Sequence, residues 1–191
     1  MCWAILQDAR FCELQLRFDR DVANAAKAEG CLLCSGVLHW ASFKRKSRGG
    51  PPGLGEEHDR RFSFCCDEDE CRKRRTPPSV RFLGRKVYRS AVVVLVSAMR
   101  HGATADRMQR LRELLGVSRR TVERWRTWWR TTFAQSQFWR MAAGSLVPKL
   151  ATSELPASLL ERFLGDEEER LLALLRFLGP ITGGAPVVHV R

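Results

Sequence analysis

Residues 111–125 read LRELLGVSRRTVERW, and this stretch dictates how the second half of the chain folds. Its three leucines recur at helical spacing and predict the apolar face of a first helix. Gly116 then permits a tight turn, Val117 fills that turn, and Ser118 caps a second helix. The pattern therefore predicts a helix-turn-helix.

The second helix of this pair carries a basic face. Val122 and Trp125 are three residues apart and are expected to face inward. The outward positions near the N-terminal end of this helix hold Arg119, Arg120, Thr121 and Arg124. Arg126 follows on the same helix and could reach the DNA backbone. In a helix-turn-helix protein this end meets the base edges and phosphates of duplex DNA. The alternative is an ordinary helical hairpin with a solvated basic face.

The positive charge of the chain is concentrated in its middle. Lys and Arg total 33 against 21 Asp and Glu, which gives a net charge of +12. Residues 44–86 hold thirteen bases and seven acids, and residues 100–140 hold ten arginines and three acids. Such basic blocks favour a polyanionic partner, most commonly nucleic acid. In the first block the candidate phosphate contacts are Lys44, Arg45, Lys46, Arg74 and Arg75.

Two pairs of cysteines predict a metal site. Cys31 and Cys34 are separated by two residues, and Cys66 and Cys71 by four. Two thiolate pairs about thirty residues apart match the ligand plan of a zinc ribbon. Because four thiolates leave no open position on the metal, the expected zinc is structural and not catalytic.

The second pair leaves alternatives open. Cys65 neighbours Cys66, which is preferred because Phe64 precedes it by two and both would then lie on one face of a strand. His39 and His58 are competing ligands in the same region. The cysteines could also be free and buried, with no metal at all.

The expected fold class is α+β and mostly α, with a small β zinc ribbon followed by an all-helical helix-turn-helix domain. Helices are predicted over 13–29, 87–100, 104–115, 118–133, 157–164 and 166–178. The predicted domain organisation is an N-terminal helical arm (1–30), the ribbon (31–83), the helix-turn-helix domain (84–140), C-terminal helices (141–178) and a flexible tail (179–191).

The chain carries no obvious targeting or membrane segment. The N-terminal residues lack a basic region followed by a long apolar stretch. The longest apolar run, residues 91–96, is far shorter than the ~20 residues that span a bilayer. We therefore expect a cytoplasmic, nucleoid-associated protein with reduced thiols and no membrane partner.

The order of these features resembles a known family. An aromatic-x-Cys knuckle at 64–66, the basic run at 72–75, the strand at 76–82, an apolar helix and the helix-turn-helix follow one another as in the N-terminal region of insertion-sequence transposases. The resemblance covers about residues 31–130. It implies zinc ligation by Cys31, Cys34, Cys66 and Cys71, and DNA reading by the helix after Ser118.

The resemblance stops before the catalytic part of that family. Such transposases continue into a domain with an Asp-Asp-Glu metal site, whereas residues 141–191 here are leucine-rich helix and tail. We therefore expect a DNA-binding protein that is not an enzyme, either a transposon-derived accessory protein or a regulator. The alternative is an RNA-binding ribonucleoprotein adaptor. A homodimer through the C-terminal leucine-rich helices is also expected.

Overall fold

The computed structural model describes residues 4–99, 104–146 and 148–183. It is an α+β fold dominated by helix, as predicted. The helices are α1 (Ala4–Gln7), α2 (Ala9–Glu29), α3 (Ser90–Ser97), α4 (Ala105–Leu115), α5 (Arg119–Trp128), α6 (Gln137–Ala143), α7 (Ala157–Leu160) and α8 (Glu167–Phe177). The strands are β1 (Leu38–Trp40), β2 (Phe43–Lys44), β3 (Arg60–Arg61), β4 (Phe64–Cys66) and β5 (Arg74–Arg75).

The strands form two small antiparallel sheets between residues 38 and 75. One has the order β1-β4-β5, with Leu38 opposite Cys66, and the other pairs β2 with β3. Leu38, Phe64 and Cys66 face inward and are buried. Sheets of two and three short strands bury little apolar surface, so they need support from a neighbouring helix or a cross-link.

Helix α2 supplies that support. It starts earlier than predicted, at Ala9, because Asp8 accepts a hydrogen bond from the backbone N–H of Arg10 and caps the helix. Ala23 near its C-terminal end packs with the inward residues of the ribbon, while Phe11 near its start lies in the main helical core. The segment predicted as an arm therefore contacts both halves of the molecule.

Helix α3 is the centre of the helical core, and every residue from Ser90 to Ser97 is buried. It is shorter than the predicted 87–100. Residues 88 and 89 instead form isolated bridges with Arg48 and Phe82, and Val87 is 52% exposed. The last predicted position, residue 100, lies outside the described residues.

The predicted tight turn between two helices is present, between α4 and α5. Gly116 adopts a left-handed conformation with φ of 66°, and Val117 is fully buried. Ser118 accepts a hydrogen bond from the backbone N–H of Thr121. The prediction for Leu114 was wrong, since this side chain is 52% exposed. After α5 the chain continues as a π-helical turn over Trp129–Phe133.

Four of the C-terminal leucines lie in the chain's own core, whereas Leu164 is 92% exposed. Leu171, Leu174, Leu175 and Leu178 are each at most 1% exposed. Helix α8 begins at a capping box between Asp166 and Glu169. These leucines already have partners within the chain, and the expected homodimer stays a prediction.

The start of the predicted flexible tail is hydrogen-bonded to the ribbon. Thr182 accepts a hydrogen bond of 2.7 Å from the backbone N–H of Ser79, and its carbonyl oxygen accepts one from Arg61. Residues 179–183 thus contact the ribbon, the flexibility of the tail stays a prediction, and residues 184–191 lie outside the described part. Within the described ranges, no helix is long and apolar enough to cross a membrane.

Candidate metal centre and basic helix face

Four thiols converge at one end of the ribbon. The Sγ atoms of Cys31, Cys34, Cys66 and Cys71 all lie within 4.8 Å of one another. Cys31 and Cys71 are 3.7 Å apart at sulfur, and Cys34 and Cys66 are 3.4 Å apart. A tetrahedral zinc with Zn–S bonds of 2.3 Å would set its sulfurs ~3.8 Å apart. The cluster therefore has the size and donor set to hold a metal ion.

The first cysteine pair, Cys31 and Cys34, lies on a tight backbone turn that we call the first knuckle. The N–H of Cys31 donates to the carbonyl of Gly36, and the N–H of Ser35 donates back to the carbonyl of Cys31. Gly36 lies close to the thiols, because a Cβ there would be 3.1 Å from Sγ of Cys66 and 3.3 Å from Sγ of Cys34. A side chain at position 36 would therefore crowd the sulfurs of Cys34 and Cys66.

The second knuckle is the pair Cys66 and Cys71, whose four intervening residues also form a turn. The carbonyl of Glu68 accepts hydrogen bonds from the N–H groups of Cys71 and Arg72. Arg72 has a φ of 43°, which reverses the chain after the second cysteine. Four intervening residues therefore still bring Cys71 back beside Cys31.

The environments of the thiols differ. Hydrogen bonds from the backbone N–H groups of Leu33 and Cys34 lower the pKa of the Cys31 thiol to about 6. Burial raises the pKa of the Cys66 thiol to about 12. Four neighbouring thiolates would repel one another, and a divalent cation removes that repulsion.

Cys65 lies outside this cluster. Its sulfur contacts the carbonyl oxygens of Cys66 and Arg72, because alternation along β4 turns it to the opposite side from Cys66. His39 also lies apart and contacts Asp67, with 3.5 Å between Nε2 and the carboxylate. Cys66 is therefore the member of the adjacent pair that joins the cluster.

The second competing histidine belongs to a group that sequence reasoning missed. His58 is buried, and its Nε2 lies 3.4 Å from a carboxylate oxygen of Glu13 on α2. The ligand atoms of Glu13, Glu57 and His58 lie within 4.8 Å of one another. Burial lowers the pKa of His58, and the nearby Arg89 guanidinium adds to this effect. The two acids are 44 positions apart, so their spacing gives no motif.

On helix α5 the structure separates an inner face from an outer face. Val122 and Trp125 are buried, whereas Arg119, Arg120 and Arg124 are exposed and Thr121 is half-buried. Tyr88 holds the turn in place, since its hydroxyl donates to the carbonyl of Gly116 over 2.8 Å. The exposed arginines therefore project from a fixed helix start.

Two of the predicted DNA contacts are turned inward. Arg75 donates to the carbonyls of Ala26 and Gly30 at the end of α2, at 2.8 and 2.7 Å, and its side chain is 15% exposed. Arg126 donates to the carbonyl of Met99 and is half-buried. Both guanidiniums are hydrogen-bonded to backbone carbonyls of the chain, so they have little freedom to contact a partner.

The other predicted contacts in the first basic block are exposed to different degrees. Arg74 donates to the carbonyl of Ala41 and stays exposed, and Lys44 pairs with Glu56 at the surface over 3.1 Å. Arg45 is half-buried and, like Arg75 and Arg126, donates to backbone carbonyls of the chain, here those of Gly84 and Lys86, whereas Lys46 is exposed. Three further arginines that add to the charge of this region are buried, namely Arg61, Arg81 and Arg89. The net charge therefore overstates the basic surface.

Comparison of the chain with protein-family models, with curated proteins and with solved structures yields no match. The geometry and chemistry of the residues carry the functional conclusion.

Proposed function

We propose that this protein binds duplex DNA through helix α5 and is stabilised by one structural zinc ion. The observation that carries the proposal is the turn between α4 and α5, in which Gly116 is left-handed and Val117 is buried. This turn leaves Arg119, Arg120 and Arg124 together on the outer face of α5. A helix start so exposed and so basic suits the major groove of DNA.

Zinc is the ion that we assign to the four thiols. Thiolate donors at tetrahedral spacing favour zinc over magnesium or calcium, which prefer oxygen ligands. Zinc here would link the first knuckle to the second and supply folding free energy to sheets that have little core of their own. Metal analysis of reductively purified protein should give one zinc per chain. A chain that retains no metal would contradict this assignment.

The DNA proposal is tested by removing two exposed charges from α5. The double variant Arg119→Gln/Arg120→Gln should bind duplex DNA at least about tenfold more weakly and show a shallower salt dependence. The matched control is Arg17→Gln/Arg140→Gln, which removes the same charge from exposed positions on α2 and α6. Equal losses in the two double variants would show that only net charge matters and would refute the role of α5.

Two additional measurements define the class of partner and activity. Duplex DNA should bind more tightly than a structured RNA of the same length at one salt concentration, and the reverse order would favour the ribonucleoprotein alternative. We further propose binding without strand cutting, as expected for a transposon-derived accessory protein or regulator. Supercoiled plasmid incubated with the protein and Mg²⁺ should then stay intact.

A further inference from the structure

A basic cleft lies between helix α5 and the loop that precedes α3. Its volume is about 790 Å³, and one wall is formed by residues 83–88 while the other is formed by α5 and the π-helical turn. Arg48, Arg85, Lys86 and Arg124 line it, and no lining residue is an acid. The cleft is therefore an anion-attracting cavity of the size that takes a small ligand, roughly 300–1,000 Å³.

Within the described part of the chain, the cations of this cleft have no carboxylate partner. Among the described residues, none of these four side chains has an Asp or Glu oxygen within ion-pair distance. Burial lowers the pKa of Lys86 to about 8, with a contribution from the nearby charge of Arg124. Uncompensated charges that are partly desolvated favour an incoming anion.

The remaining lining is aromatic. Trp125 and Phe133 are buried behind the cleft, and the half-buried Trp128 faces it. The ammonium of Lys86 lies 3.5 Å from the centroid of the Trp128 ring. Val87 adds an apolar surface that is 52% exposed. Phosphate alone would leave these surfaces unused, and an apolar ligand would leave the cations unpaired.

We propose that this cleft binds a nucleoside phosphate, with the phosphate held by Lys86 and Arg124 and the base packed against Trp128. The ammonium of Lys86 exchanges its contact with the indole ring for the phosphate, which frees the ring face for stacking. The ligand is either a free nucleotide or one nucleotide unit of a single strand, because both present the same chemistry. This site goes beyond the proposed duplex binding and does not depend on it.

The binding test uses the full chain and four probes in calorimetric titrations at one salt concentration: ADP, adenosine, inorganic pyrophosphate and a five-nucleotide single strand. ADP or the short strand should bind more tightly than adenosine and pyrophosphate, because only they offer base and phosphate together. ADP binding identifies a free nucleotide as the source, and binding of the strand alone identifies a polymer. If neither binds more tightly than pyrophosphate, the proposal is overturned.

Two pairs of variants locate the binding. Lys86→Gln should weaken binding about tenfold or more, as expected for a lost charge-assisted hydrogen bond, whereas the exposed Lys149→Gln should not change it. Val87→Asp introduces a repelling charge on an exposed side chain and should also weaken binding, whereas the isosteric Val87→Thr should not. If Lys86→Gln and Lys149→Gln behave alike, the ligand lies elsewhere.

The same variants separate this inference from the proposed duplex binding. Arg119→Gln/Arg120→Gln should lose duplex affinity and keep affinity for the cleft ligand, since neither arginine lines the cleft. Failure of duplex binding with retained ADP or short-strand binding would refute only the DNA proposal. Duplex binding with no cleft ligand would refute only the cleft.

Discussion

The carboxylate of Asp19 on helix α2 accepts a hydrogen bond of 2.8 Å from Nε of Arg81, and the two side chains are 1% and 0% exposed. The other guanidinium nitrogens of Arg81 donate to the backbone carbonyls of Glu57, His58 and Arg60. A buried charge with every polar atom engaged is stabilising only while its partner stays in place. This pair therefore links α2 to residues 57–60, which lead into β3.

Asp19→Asn should lower the free energy of unfolding by about 3–5 kcal/mol, because it leaves the Arg81 charge buried without a counter-ion. Urea unfolding monitored by circular dichroism measures the loss. The control is Arg20→Gln, which breaks the exposed ion pair with Glu57 and should cost at most about 1 kcal/mol. Similar losses in both variants would contradict the role assigned to the buried pair.

Cys66→Ser should abolish metal retention, whereas Cys65→Ser should leave one metal ion per chain. The two cysteines are neighbours in β4, but only the sulfur of Cys66 joins the cluster. Elemental analysis of the two variants, purified side by side under reducing conditions, gives the comparison. Equal metal content in both would show that the thiol cluster does not bind the ion.

Gly36→Ala should weaken metal retention and destabilise the ribbon by about 1–3 kcal/mol through overpacking. The added methyl would lie 2.6 Å from Cγ of Glu68 and 3.1 Å from the sulfur of Cys66. Gly55→Ala is the matched control, since its nearest contact is 3.8 Å away. Chelator competition together with thermal unfolding reports both effects, and indifference of the Gly36 variant would refute the close fit.

The affinity of the basic cleft for ADP should fall as the pH rises from 7 to 9. Burial sets the pKa of Lys86 at about 8, so the ammonium that binds the anion is lost across this range. The other charged groups that line the cleft are Arg48, Arg85 and Arg124, and the Tyr88 hydroxyl donates to the carbonyl of Gly116. Titrations at three pH values measure the change, and Lys86→Gln should show a weak, flat profile. A wild-type affinity that does not vary with pH would contradict this assignment.

The local features of this fold could be predicted from the sequence. The turn at Gly116 follows from a residue that tolerates a left-handed backbone and a neighbouring serine that caps a helix. The convergence of Cys31 and Cys34 follows from a two-residue spacing. In both cases the determining contacts lie within a few positions along the chain.

The features that were missed depend on contacts between distant positions. Arg75 and Arg81 count as basic residues in the sequence, yet each is drawn inward by groups on α2 that lie about 50 to 60 positions away. Leu114 fits the helical pattern but is 52% exposed. Thr182 is hydrogen-bonded to Ser79 and Arg61, which lie more than 100 positions away along the chain. Periodicity carries no information on such pairings.

Helix α2 places Phe11 in the helical core and Ala23 in the ribbon core, so both cores depend on one continuous run of backbone hydrogen bonds. The two halves are therefore expected to unfold as one cooperative unit. In a calorimeter, chelation of the metal should shift a single melting transition to lower temperature for the whole chain. If the ribbon unfolded independently, chelation would instead remove a small separate peak and leave the main transition unchanged.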